Sequence, residues 1–298
     1  MYKRLELHNH TNESDAVFTC KELTDFMVAD QVDAFALTDH NTISGHCKIK
    51  NYLKEHPQPI AFIPGMEYTT YYGHILCLNL TEYVPWENIN RHKPELLFRA
   101  ARKKGALVGV AHPYSFGWPF AQGCRFEMTV TDYSCCDFIE IFNNPEPLHE
   151  VNEKGIKLWE NLVLSGEKLA ATCGMDLHGN STLHGHYSTY IQGEPDGDVC
   201  RELSDAIHNQ RTWVCKGPLL EVHNDGEALT FTIHQTGNRD TNRSPRTIIE
   251  SLSAHKIRLS PATYPTGSRW LLFQSMRLLS RCFSRKKLLS KTSYVQAP

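Results

Sequence analysis

The stretch Leu5-Glu6-Leu7-His8-Asn9-His10-Thr11-Asn12-Glu13-Ser14-Asp15 opens as a strand, with Leu5 and Leu7 on one face, and closes in a polar turn. Residues two apart in a strand point the same way, with Cα atoms roughly 6.5–7 Å apart. His8 and His10 can therefore close on one ion through imidazole nitrogens, at about 2.0–2.1 Å for zinc. Asp15 lies in the turn that would cap such a site. An isolated His-x-His is as readily a surface pair at a strand end, so the other strands decide.

Working outward, apolar runs of strand length alternate with helical patterns. Arg4–His10 is followed by a helix over Lys21–Asp30, with Leu23, Phe26 and Met27 on one face and Thr19 as N-cap. Ala34–His40 is the next strand and Ser44–Glu55 the next helix. Ile60–Thr70 and Gly73–Leu80 read as strands. The helix Pro94–Lys104, with Leu96, Leu97 and Ala100 inward, stops at Gly105, where a C-cap glycine belongs. Strands then recur at Ala106–Pro113, Phe138–Asn143 and Leu169–His178, with helices at Val151–Leu164 and Val199–Gln210. Short strands at Arg211–Lys216, Leu219–His223 and Leu229–Gln235 complete the patterned part. Six or seven βα units before residue 180 predict a mostly parallel sheet closed into a barrel. Nearly every strand ends in a metal-ligand type: His8 and His10, His40, Glu67, His112, Asp176 and His178. Parallel strands of a barrel gather their C-terminal ends on one face, where active sites are built.

The chain has 298 residues, ten cysteines without a C-x-x-C pair, and a net charge of −2. Cys77 and Cys173 stand inside apolar runs, as small hydrophobes do, and the N-terminus carries no apolar signal segment. This composition predicts a reducing, cytoplasmic setting without disulfides. No apolar run approaches the ~20 residues of a membrane span. From Arg239 onward there are twelve Lys/Arg and two Asp/Glu, against nineteen and thirty-one before it. That shift marks a boundary and predicts a barrel over 1–220, a short β extension over 221–236 and a basic tail over 237–298. Within the tail, Ser268–Leu289 has the spacing of a basic amphipathic helix; plain packing is preferred over a membrane or nucleic-acid contact.

HNHTNESD, LTDHN, GMEYTTYYGHIL, VAHPY and GMDLHG, in that order, resemble the PHP (polymerase and histidinol phosphatase) superfamily of metal-dependent hydrolases. The resemblance covers about Leu5 to Leu220. It implies an α/β fold, a distorted (β/α)7 TIM-like barrel, with a polynuclear metal cluster. EIFN and RTWVCKGP resemble the carbaryl hydrolase-type branch. By the same resemblance His8, His10, Glu67 and Asp176 are expected to hold a first ion. Asp15, His40 and His178 would hold a second, and Glu67, His74 and His112 a third, with Glu67 bridging. Other members carry His where this chain has Asp15, and a carboxylate there is the pattern of the nucleotide-phosphatase-like members. Asp39 is expected to orient the loop or an imidazole. Two or three divalent ions follow, and histidines favour Mn, Fe or Zn over Mg or Ca. The expected reaction is attack on phosphorus by water activated on the ions, with His8, His10, Glu67, His112 and Asp176 as its catalytic core.

Arg125, Asn143 and His186 are candidates for substrate contact, with His184 and Lys216 less so. Tyr68, Tyr71, Tyr72, Trp118 and Phe120 form either an apolar substrate wall or the barrel rim. The expected function is a phosphoesterase acting on small phosphate esters or nucleotides. A hydrolase of carboxylic or carbamate esters is the second expectation, and a non-catalytic regulatory module the third. Degraded ligand motifs would mark the module, whereas every ligand position here is filled. The expected partner is a small ester; no nucleic acid is required.

Overall fold

A computed structural model describes residues 1–87, 89–116, 123–143, 150–179, 186–215, 219–224, 228–234 and 250–253. These fall in two compact units, one of residues 1–216 with 236–241, the other of 217–235 with 242–298.

The first unit is built on a sheet of nine strands: β1 (Tyr2–Glu6), β2 (Ala34–Leu37), β3 (Ala61–Thr70), β4 (Gly73–Leu78), β5 (Leu107–Val110), β6 (Phe138–Phe142), β7 (Ala170–Cys173), β8 (Ser188–Gln192) and β9 (Trp213–Cys215). Their order is β7-β6-β5-β4-β3-β2-β1-β8-β9. The pairs β1–β2, β2–β3, β5–β6 and β6–β7 are parallel. Two strands depart from the expected parallel order. β4 runs antiparallel to β3 and β5, and β8 antiparallel to β1 and β9. For β4 the cause is local: Thr70 pairs with Gly73, and a two-residue link suits a hairpin, not a parallel crossover.

The sheet nearly closes. Cys173 N donates to Thr189 Oγ1 at 2.9 Å, Thr212 Oγ1 donates to Ala171 O at 2.7 Å, and Asn9 bridges to Leu177 beyond the ends of β1 and β7. A single apolar cluster takes side chains from every strand from β1 to β8: Leu5, Ala36, Ile63, Leu76, Leu107, Phe138, Ala170 and Ile191. A flat sheet could not bring one residue from each of these strands together, so this is a barrel interior. Helix α5 (Val199–His208) closes its lower end with Val199, Leu203 and Ile207. The strand residues it meets lie at the starts of parallel strands or the ends of antiparallel ones, leaving the opposite end open.

The other helices are α1 (Cys20–Ala29), α2 (Gly45–Glu55), α3 (Glu95–Lys103) and α4 (Glu150–Ser165). Thr19 caps α1 in a capping box with Glu22, whose carboxylate accepts from Thr19 N at 2.8 Å. Phe35 and Leu37 of β2 turn outward against Leu23, Met27 and Ile49 of α1 and α2, while Ala34 and Ala36 turn inward. On α3 the buried face is Leu97, Phe98 and Ala101, and Leu96, expected inward, is half exposed.

The second unit is an antiparallel sheet of β10 (Leu219–Asn224), β11 (Ala228–His234) and β12 (Glu250–Ser253). β12 lies in the stretch expected to be tail, so pairing continues past the predicted extension. The Ser268–Leu289 segment, His184, Lys216, Trp118 and Phe120 lie outside the described residues. Among the described residues no helix is long and apolar enough to cross a membrane.

Candidate metal centre

The open end of the barrel gathers the nine residues expected as ligands, although most stand just past their strands. His8 and His10 follow β1, His40 follows β2, His112 follows β5, and Asp176 and His178 follow β7. Glu67 lies within β3, and His74 begins β4, which reaches the same end because it runs the other way. Backbone bonds lace these loops together. His10 N donates to Leu177 O at 3.0 Å and Asn41 N to Glu67 O at 2.9 Å. His112 and Asp176 take positive φ values of 25° and 52°, strained backbone of the kind that clusters at functional sites. Gly174 allows the close approach of β7's loop to β1: a Cβ there would lie 2.4 Å from His8 Cβ.

Glu67 is the hub, with no solvent exposure. Its Oε1 lies 2.9 Å from His74 Nδ1 and 3.0 Å from His112 Nε2. Its Oε2 lies 2.9 Å from His40 Nδ1, 3.3 Å from His8 Nε2 and 3.5 Å from His10 Nε2. Asp176 Oδ1 sits 3.0 Å from His10 Nε2 and 3.4 Å from His8 Nε2. At the outer edge, Asp15 Oδ1 is 3.2 Å from His178 Nε2 and 3.5 Å from His40 Nε2.

Several imidazoles have the nitrogen away from the centre occupied. His8 Nδ1 lies 2.9 Å from Glu140 Oε1, His112 Nδ1 3.1 Å from Cys124 O, and His178 Nδ1 2.8 Å from Asp176 O. A ring whose one N–H is fixed outward presents its other nitrogen as a lone pair, the arrangement of ligating histidines. Asp39 accepts from Thr11 N at 2.6 Å and from the hydroxyls of Thr11 and Ser14, each at 2.7 Å, so it orients the loop that carries Asp15.

The electrostatics show the same demand for cations. Burial would raise the Glu67 carboxyl, but the imidazoles of His8, His74, His112 and His40 hold it well below the usual carboxylate range. Asp176 is lowered against its burial chiefly by His8 and His10. Burial opposes charge on His8 and His112, yet Glu140 and Glu67 raise the first well above its ordinary value, and Glu67 pushes the second up to about 9. His10 is lowered by burial.

Divalent ions fit this donor set. Buried His8 Nε2, His10 Nδ1 and His74 Nε2 make no hydrogen bond, and buried polar atoms left so need a partner of another kind. Four groups have ligand atoms within 4.8 Å of one another: His8, His10, Glu67 and Asp176; His10, Asp15, His40 and His178; His40, Glu67 and His74; His8, His112 and Glu140.

The expected substrate contacts divide. Asn143 Nδ2 donates to Ser115 Oγ at 3.1 Å and stands beside His112 and Glu140. Exposed Arg125 reaches Ser115 O at 3.4 Å. His186 is buried ahead of β8 and belongs to none of the four groups. Tyr68 is core, its hydroxyl bound to Val84 O, whereas Tyr71 is exposed. Glu140, the first residue of EIFN, is not among the site residues expected from the sequence. Its signal was a lone acid inside the apolar strand FIEIF.

No family model matches the chain. An uncharacterised protein of Methanocaldococcus jannaschii is 28% identical over 151 residues, covering 47% of this chain and 81% of that one. Among solved structures, an amidohydrolase from Chromobacterium violaceum with bound sulfate and no metal is 15% identical, with TM-score 0.43 over 71% of this chain and 97% of that one. A two-domain protein from Bacteroides vulgatus, containing a predicted PHP-like metal-dependent phosphoesterase, is 18% identical, with TM-score 0.56 over 79% of this chain and 76% of that one. The likeness to the Bacteroides protein shows a shared fold.

Proposed function

We propose that this chain is a metal-dependent hydrolase of the PHP superfamily, holding two or three divalent ions of Mn, Zn or Fe and cleaving small phosphate esters, nucleotides included. The observation that carries this is Glu67, a carboxylate closed to solvent with imidazoles facing both of its oxygens. His8, His10, Glu67 and Asp176 would hold one ion, Asp15, His40 and His178 a second, and Glu67, His74 and His112 a third. Bound there, such ions supply Lewis acidity and lower the pKa of water toward neutrality. The protein's own part is placement. Glu67 offsets repulsion between neighbouring cations, Thr69 and Cys124 fix the rings of His40 and His112, and Asp39 fixes the Asp15 loop. Asp15 is 58% and His178 37% exposed at the side chain, so water and substrate reach the centre from that edge. Arg125, Ser115 and Asn143, joined by hydrogen bonds, would grip the phosphoryl group or its neighbour.

A second reading, hydrolysis of carboxylic or carbamate esters in the carbaryl hydrolase-type branch, is favoured by the scarcity of unengaged cations among the described residues. Lys48 is held by Glu13 and Arg91 by Glu127 O, while exposed Val17 and Phe116 adjoin His178 and the His112 loop. Metal analysis of the purified chain, with a panel of phosphate, carboxylic and carbamate esters, decides. Turnover of phosphate esters lost on chelation is expected. Turnover of carboxyl esters alone establishes the second reading, and full metal without turnover leaves a binding module. Cysteine usage supports a reducing, cytoplasmic setting for either.

A further inference from the structure

Glu140 stands in the middle of β6, 1% exposed, between the apolar residues Ile139 and Ile141. A carboxylate so placed needs donors for its lone pairs. It has two: His8 Nδ1 lies 2.9 Å from Oε1, and His112 N donates to Oε2 at 3.0 Å. These donors sit on loops after β1 and β5, which are separated in the sheet by β2, β3 and β4. One side chain therefore spans the mouth of the barrel and fixes two ligand-bearing loops at once.

We infer that Glu140 is a positioning residue of the metal centre, fixing the tautomer of His8 and the strained backbone of His112 without ligating an ion itself. This rests on the metal-centre reading above. The His112 amide can only donate, so Oε2 accepts. His8 Nε2 faces Glu67 and Asp176, at 3.3 and 3.4 Å, and must keep its lone pair to bind an ion there. Its proton then lies on Nδ1, directed at Glu140. A neutral imidazole has one lone pair and cannot offer both nitrogens to ions, which argues against Glu140 sharing a cation with His8 Nδ1. The need is for two acceptor oxygens. In Glu140→Gln one of the two positions becomes an NH2 group. Facing His8, it moves the ring proton to Nε2 and removes the ligand; facing His112, it meets another donor.

The test uses the full chain with zinc alone as probe, in competition with a chromophoric chelator. Glu140→Gln is expected to weaken zinc binding about 10–100-fold while keeping the stoichiometry at saturating zinc. The double variant Glu140→Gln/His8→Ala is expected to lose less affinity than the sum of the two single losses, because the part that passes through His8 is already gone and only the His112 part remains. Unchanged affinity in Glu140→Gln, additive losses in the double variant, or an ion missing at saturation each overturn the inference, the last by making Glu140 a ligand. Should Glu140→Gln not fold, ¹⁵N-histidine spectra of the unaltered zinc-loaded chain decide. A proton on His8 Nδ1 with zinc on Nε2 supports the inference, and the reverse overturns it. Absence of zinc uptake by the unaltered chain overturns the metal reading and this inference with it. Uptake with an unaffected Glu140→Gln overturns this inference alone.

Discussion

A carboxylate without solvent contact and with five imidazoles around it stays ionised only if those rings carry protons or metal ions take their place. Glu67 is in that position. Glu67→Gln keeps the shape and removes the charge, and an amide bridges two cations poorly. The expected result is loss of at least one ion per chain and a fall in turnover of at least about 100-fold, beyond what loss of an outer partner causes, with circular dichroism unchanged. Full metal content with near-normal turnover would place the bridge elsewhere. His46 gives the opposite case. It is buried on α2, its Nε2 2.7 Å from Gly65 O, and burial lowers its pKa. His46→Ala should cost about 1–3 kcal/mol by stranding that carbonyl and leave metal content intact. At this scale the sequence was legible where residue type alone implies chemistry, as in His8-Asn9-His10 and Asp176-Leu177-His178. Glu140 was not. Its role lies in reaching two loops distant in sequence, and nothing local to FIEIF records them.

Elements hold these residues in register through close contacts that tolerate little change. Gly174 lets the loop after β7 lie against β1; an added Cβ would stand 2.4 Å from His8 Cβ and 2.7 Å from His8 N, both on a paired strand end. Gly174→Ala should therefore cost about 1–3 kcal/mol as overpacking and weaken metal binding by moving His8. Equal metal affinity in that variant would show that the mouth adapts. Elsewhere in the first unit, Glu95 opens α3 and accepts from Thr131 N at 2.6 Å and Asp132 N at 3.3 Å. Burial alone would raise its carboxyl; those donors, with its own backbone N–H, outweigh it and hold the pKa below its ordinary 4.5. A depressed folded pKa gives stability that is present above the unfolded value and lost as pH falls through the folded one. The gap in urea stability between the unaltered chain and Glu95→Gln should be about 1–3 kcal/mol at pH 7 and shrink below pH 4.5. A gap that does not change with pH would mean that the charge contributes nothing. Helix positions and apolar strands could be read from periodicity. Strand direction could not, because β4 and β8 show the same apolar alternation as their parallel neighbours. For β4 the two-residue link at Tyr71-Tyr72 carried the missing sign.

For the whole molecule, the barrel interior and the ligand cluster are separable sources of stability. The interior is apolar and holds one residue or more from each of β1 to β8, capped by α5. The proposed ligands lie between His8 and His178, all in the Met1–Lys216 part of the first unit. Ions that bind the folded chain alone stabilise it by mass action, about 2.7 kcal/mol at a free concentration a hundred times Kd. For a unit of this size that is a rise of roughly 5–11 °C in Tm. A chain ending at Lys216 should show the same metal stoichiometry and the same rise in Tm as the full chain, since the second unit supplies none of the proposed ligands. The measurement is calorimetry of both chains, chelated and metal-loaded. If the shortened chain folds but its Tm ignores the metal while that of the full chain responds, a group beyond Lys216 completes the centre. The assignment of ions to residues of the first unit would then be wrong.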